Sequence, residues 1–490
     1  VSWIDPLDAL PPAPPPAPRP SAQHPALRAL AAGIALLLLA GVAVVVVRAT
    51  GDDGADHPSA WDPRVVDLVA FVEDERDLDF DHPVHVDFLT ADAYRAEATA
   101  SDSDLTDEDR DALVRDAGLL RALGVASGPI DLLEALNAVT DGGTLAFYDP
   151  EDRRIRVRGT ELTVGLQVTL VHELTHALQD QAFDLRRLED LEDAEAAAFR
   201  ALVEGDALRV ESAYVSEVLD DDERAAYQRE HDGEVEASEA ATSEVPAFLT
   251  ASFAAPYLLG GPFVTMLVNR GGNAAVDAAL QEPPTTEEHL FDPASHLAEE
   301  GAGEVELDRP DPSDDVDEGP FGAPTWFLVL AERIDPLVAF EAALGWGGDT
   351  SFTFQRDGRS CVRAAFVGDT GRDTDEMARA LDAWAATMPD GVVDRFDGSG
   401  STGFESCDPG PDVELDPAGH GPDLLVLPSL WGYLVADAAT VAGADEARCY
   451  AGRVMDGLTF EEMTDPDGAA FGTDAFRQAM QTAFEGCRAR

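Results

Sequence analysis

A chain of 490 residues with 96 acidic side chains against 33 basic ones carries a formal charge of −63, which repels phosphate backbones and so excludes nucleic acid as a partner. Every basic residue is Arg, and the absence of Lys removes Walker A, Schiff-base and Ser–Lys chemistry. Apolar residues make up 45% of the chain, enough for a globular protein whose acidic surface suits high external salt; no EF-hand spacing points to Ca²⁺.

Residues 1–28 include the Pro-rich run Pro11 to Pro20, which reads as an extended, disordered tail. Ala29 to Val47 follows as an uninterrupted apolar stretch between Arg28 and Arg48. At a rise of ~1.5 Å per residue it matches the ~30 Å hydrocarbon core, and it is expected to be a single transmembrane helix. Arg19 and Arg28 before it, and Asp52, Asp53 and Asp56 after it, favour the tail inside and the large domain outside the cytoplasm. A cleaved signal peptide is the rival reading, with its site at Val47-Arg48-Ala49.

After a linker over 48–60, the pattern predicts a helix over Val65–Val72, a strand over Val84–Phe88, and helices over Asp107–Leu123 and Asp131–Val139. Short strands are expected at Thr144–Tyr148 and Arg154–Arg158, then long helices over Leu162–Gln181 and Glu192–Val218. Residues 220–245 read as charged and solvated, Tyr257–Ala279 as a helix broken at Gly271-Gly272, and 282–320 as a Pro- and acid-rich loop region. Thr325–Leu344 is expected to be helical, with paired strands in Phe352–Phe366 and Gly391–Cys407 linked by a helix near Met377–Met388. The fold class is therefore α+β and mostly helical. A principal domain over 61–410 is followed by a small helical unit over 411–490. Cys361, Cys407, Cys449 and Cys487 form no CxxC pair. In an exported protein they read as two disulfides, with the local pairing Cys361–Cys407 and Cys449–Cys487 preferred over the two other connectivities.

The chemistry resides in His172-Glu173-Leu174-Thr175-His176, an HExxH on the first long helix. Positions i and i+4 share a helix face, so both imidazoles can bind one Zn²⁺, and Glu173 is placed to take a proton from a water that the ion activates. Val168, Leu170, Val171, Leu174, Ala177 and Leu178 make the helix a buried one, and buried His side chains need partners. Hydrolytic zinc sites use a third protein ligand and one open position. Glu204, between apolar neighbours on the next helix, is the expected ligand, with Glu195 and Glu211 as alternatives. Tyr257, His231, His289, His296 and Arg209 are eligible to stabilise an oxyanion.

These residues resemble a gluzincin-type metallopeptidase, in which a Glu ligand follows HExxH on the next helix, often in a context like Glu204-Gly205-Asp206-Ala207. More closely, the run from His172 to Gln181 with Phe183-Asp184-Leu185, Pro256-Tyr257, Pro283-Pro284 and Gly345-Trp346-Gly347-Gly348-Asp349 is similar to a group of bacterial neutral zinc metallopeptidases, over about residues 63–408. The resemblance implies a zincin-like fold and a peptide or protein substrate. Departures stand beside it. Twenty-seven residues separate His176 from Glu204, and Leu208 stands where thermolysin-like enzymes carry an Asp, leaving Asp206 or Asp180 to orient a ligating His. The loop reads Thr286-Glu287-Glu288-His289 with Asp292-Pro293, where the group usually has Ser-Thr-Glu-Gln and His-Pro. The rival class is a non-catalytic, zinc-stabilised scaffold or binding protein of the cell envelope.

Overall fold

The computed structural model describes residues 57–142, 145–310, 316–465 and 468–488; the Pro-rich tail, the apolar stretch 29–47 and most of the linker lie outside them. The described chain is mostly helical, with two small sheets. In the first, β1 (His85–Leu89), β2 (Ala146–Asp149) and β3 (Arg154–Arg158) lie in the order β1-β3-β2, β3 being parallel to β1 and antiparallel to β2. The second is antiparallel throughout, in the order β4-β5-β6-β8-β7. It contains β4 (Val316–Gly319), β5 (Trp346–Arg356), β6 (Arg359–Gly368), β7 (Val393–Asp397) and β8 (Thr402–Cys407).

The motif helix runs over Val164–Phe183. It starts where the Thr163 hydroxyl accepts from the Leu166 N–H, satisfying an otherwise unpaired donor of the first turn. It ends at Asp184, which adopts a left-handed conformation with φ 54°. Leu170, Val171, Leu174 and Ala177 are fully buried, and with β2, β3 and the helix Val66–Arg76 they form one hydrophobic cluster. The ligand helix, Asp193–Glu217, spans two clusters. Val210 and Tyr214 pack with the motif helix, while Ala198, Phe199 and Leu202 belong to a larger core built on the core helix Ala247–Gly271 and the second sheet. Glu204 lies between these stretches, where the two cores meet.

The ligand and core helices cross almost backbone to backbone. A Cβ on Gly205 would sit 2.4 Å from the Gly260 carbonyl carbon, and one on Gly260 would sit 1.9 Å from the Ala201 oxygen. Only glycine fits both positions, which explains the Gly after Glu204. Among the described residues the core helix is also the one long and apolar enough to cross a membrane, and 67% of its most apolar window is buried inside the protein.

Both disulfides form as expected, Cys361–Cys407 and Cys449–Cys487. The first joins directly opposed residues of β6 and β8. The helices after residue 410, including Val426–Ala438 and Asp474–Arg488, bury Leu427, Val435, Met480 and Ala483 in the same core as the preceding domain, so the boundary expected at 410 does not separate two cores. Several elements depart from expectation: Ala91–Ala98 is a helix, and the region 282–320, expected to be loop, holds the short helices Glu288–Phe291 and Pro293–Leu297 and strand β4. Residues 221–242 are not merely a solvated stretch but a 22-residue acidic helix with no buried residue. It is started by a capping box between Asp220 and Glu223, and its Glu230 carboxylate accepts the Gly165 N–H at the start of the motif helix at 2.7 Å.

Candidate metal centre

His172 Nε2, His176 Nε2 and Glu204 Oε2 form a triangle with sides of 2.9, 3.3 and 3.3 Å. Four ligands around a tetrahedral ion with bonds of ~2.0–2.1 Å are ~3.3 Å apart, so these three atoms nearly match one face of such a site. Their protonation fits as well. His172 Nδ1 is 3.1 Å from Glu211 Oε2, and His176 Nδ1 is 3.0 Å from Gln179 Oε1. Each Nδ1 therefore carries the proton and donates it, leaving the Nε2 lone pair facing the centre. Two imidazole Nε2 atoms and a carboxylate oxygen facing one space, in residues at most 7% exposed, favour a cation between them, whether a proton or a metal ion. The donor set fits zinc.

The electrostatics agree in sign. Burial alone would depress the His172 imidazole, but Glu204 and Glu211 outweigh it and push it up to about 10. Burial works against the Glu204 carboxylate too, yet the two imidazoles hold it at about 2. The field that draws a proton to this point draws a divalent cation. Glu173 is different. It is 1% exposed, and burial pushes it up to about 7 despite the neighbouring imidazoles, a value near that wanted of a general base at neutral pH.

Backbone and side-chain contacts hold these groups in place. The Tyr148 N–H of β2 donates to Glu173 Oε2 at 2.7 Å, and the Tyr148 hydroxyl donates to Asp180 at 2.7 Å. Gln179 Nε2 donates to Asp206 Oδ2 at 2.9 Å, and Asp206 accepts from the fully buried Arg76 at 2.8 Å. A relay thus runs from Arg76 through Asp206 and Gln179 to His176. The sequence assigned direct orientation of a ligating His to Asp206 or Asp180. Instead Glu211 orients His172, Gln179 orients His176, Asp206 acts through Gln179, and Asp180 holds Tyr148.

Of the residues proposed for the oxyanion, Tyr257 reaches the centre. Its ring centroid is 6.5 Å from that of His172, and its hydroxyl is buried with no hydrogen-bond partner of normal geometry. Burial and then the Glu204 charge beside it hold its pKa well above the ordinary phenol value, so it stays a neutral donor. Arg209 is taken up by Glu75, Asp206 and Asn273. His231 lies against Tyr227, and His289 against His296. Arg200 was missed. Desolvation lowers its pKa, while Glu204 and Tyr257 beside it pull the other way. Its position four residues before Glu204, on the same helix face, was the available signal. No protein-family model, curated protein or solved structure matches the chain.

Proposed function

We propose that the chain is a zinc metallopeptidase of the gluzincin type, anchored to a membrane by residues 29–47 with its catalytic domain outside the cytoplasm. The carrying observation is the convergence of His172 Nε2, His176 Nε2 and Glu204 Oε2 within 3.3 Å of one another beside the buried Glu173. The two disulfides support export, since such bonds persist in oxidising compartments.

When bound, zinc supplies Lewis acidity to a water and to the scissile carbonyl. The protein's own residues handle the proton. Tyr148 N–H occupies Glu173 Oε2, which fixes the carboxylate and leaves Oε1 to take a proton from the attacking water. A carboxyl pushed up to about 7 by burial then releases that proton readily to the leaving amine. The Tyr257 hydroxyl, a buried donor beside Glu204 with no hydrogen bond of normal geometry, and the Arg200 guanidinium supply hydrogen bonds and positive charge where an oxyanion develops.

The near-complete burial of His172 and Glu173, 0% and 1% exposed, favours a second reading, a closed structural zinc site in an envelope scaffold. Peptide-library cleavage by the full chain and by Glu173→Gln, with zinc measured in both, separates the two. The peptidase reading expects equal zinc and a loss of at least about 10²-fold in rate. Equal zinc with no cleavage by the unmodified protein leaves the scaffold.

A further inference from the structure

Glu288 begins the short helix Glu288–Phe291 after the Pro283-Pro284 turn, and only 2% of it reaches solvent. Neither of its carboxylate oxygens has a hydrogen-bond donor. One of them lies within 4.8 Å of carboxylate oxygens of both Glu300 and Asp369, and Asp292 stands one turn further along the chain. The positive charge beside them is already committed: Arg448 Nε donates to Asp292 at 2.6 Å, and its Nη1 and Nη2 grip Glu300. Four carboxylates thus face one guanidinium, and Glu288, as buried as any of them but for Asp292, accepts no hydrogen bond from it. An unpartnered buried carboxylate is costly: burial and then the charges of Asp369, Glu300 and Asp292 push Glu288 up to about 8, and a small cation reaching into the cluster would displace that proton.

We propose that Glu288, Glu300 and Asp369 bind one Ca²⁺. The ligand set is carboxylate oxygen alone, with no His or Cys, which suits a hard cation and not zinc. Ca²⁺ accepts irregular shells of six to eight oxygens, whereas Mg²⁺ demands a near-ideal octahedron and gives up its waters reluctantly, so three carboxylates from separate segments suit the larger ion. Asp369 is exposed, giving the ion an entry path and room for the waters that complete its shell. The ion joins the loop carrying Glu288 and Glu300 to the end of β6. Through the Arg448 fork it also ties in the helix Ala444–Met455, which carries Cys449 of the second disulfide.

The test uses the full chain, zinc-loaded and free of calcium, in salt high enough to screen its surface charge. CaCl₂ is titrated by calorimetry and by thermal melting, with MgCl₂ at matched ionic strength as the control. One saturable Ca²⁺ per chain is expected, with Kd in the roughly 10⁻⁴–10⁻³ M range of weaker Ca²⁺ modules, and a Tm that rises with the same saturation. Glu288→Gln and, should that variant fold poorly, the exposed Asp369→Asn should weaken binding about tenfold or more while the zinc content is unchanged. No saturable response, an equal response to MgCl₂, or an undiminished response in the variants would overturn the proposal.

Discussion

Replacing Glu211 by Gln changes one atom of a side chain that never touches the ion, yet it should cost the centre a large part of its zinc affinity. His172 is fully buried and has a single acceptor for its Nδ1 proton, Glu211 Oε2 at 3.1 Å. The carboxylate fixes the tautomer and adds negative charge to the imidazole that faces the centre. A Gln that presents its carbonyl keeps the tautomer and loses the charge. One that presents its amide N–H inverts the tautomer and places a proton on Nε2. Loss of such a partner typically weakens metal binding 10–100-fold, which is about 1.4–2.7 kcal/mol. Competition against a chromophoric chelator at pH 7.5 measures it directly, with Glu217→Gln, an exposed position on the same helix, expected to behave as the unmodified protein. Zinc affinity within about twofold of normal in Glu211→Gln would refute the claim that Nδ1 orientation prepares this site.

Arg76→Met strands Asp206, which is 0% exposed, and should lower stability by about 3–5 kcal/mol in urea unfolding, because a buried charge loses its main partner. Removing Cys449 and Cys487 together, as Ala, should cost up to about 4 kcal/mol for a separation of 38 residues, read from the urea midpoint under non-reducing conditions. Asp116 tests a pH effect: burial pushes it up to about 7, with Arg115 opposing and Asp317 adding. A raised carboxyl holds in the folded state a proton that the unfolded chain releases, so its stabilising contribution is full below pH ~4 and is lost as pH rises to ~7. Asp116→Asn should therefore be more stable than the unmodified protein at pH 8, and the gap should exceed that at pH 5 by on the order of 2 kcal/mol; equal gaps in urea melts at the two pH values would contradict the sign.

The candidate metal ligands were legible because their chemistry is local. An i,i+4 pair on a helix shares a face whatever surrounds it, and a Glu among apolar residues on the next helix announces a buried charge. The elements around them were legible where apolar periodicity was strong, so the motif helix expected over Leu162–Gln181 is observed at Val164–Phe183. The acidic helix Asp221–Thr242 escaped because it buries no residue. Its support comes from its capping box and from Glu230 and Tyr227, which reach the Gly165 N–H and Glu211 respectively, contacts that leave no hydrophobic stripe. The helix expected over Thr325–Leu344 divides into Gly322–Ala331 and Pro336–Leu344, since Pro336 cannot continue a helix but starts one well, with the Asp335 side chain capping it at 2.9 Å. The contacts behind the candidate ligands were the least legible part. Arg76 and Asp206 lie 130 residues apart, and nothing local in either segment indicates that they meet.

The same packing explains why the candidate ligands stand in position at all. The motif helix is rooted in the smaller core, and the part of the ligand helix that precedes Glu204 in the larger one. If those cores were joined only by an ion, metal binding and folding would be one event, as in small zinc modules. They are joined by more than that. The Gly205–Gly260 crossing fixes the ligand helix at backbone contact distance, and Arg76 bridges from its own helix to Asp206 and to Asp277 at 2.6 Å. Gln179 reaches from the motif helix to the Val203 carbonyl at 3.1 Å, the turn that carries Glu204. Because each of these contacts is made by residues other than the three ligands, helix spacing is set by packing and hydrogen bonds, and the ligand triangle follows from it. That is the arrangement the proposed hydrolysis would require: a centre built in advance holds its ligands still while a water and a substrate come and go at the fourth position.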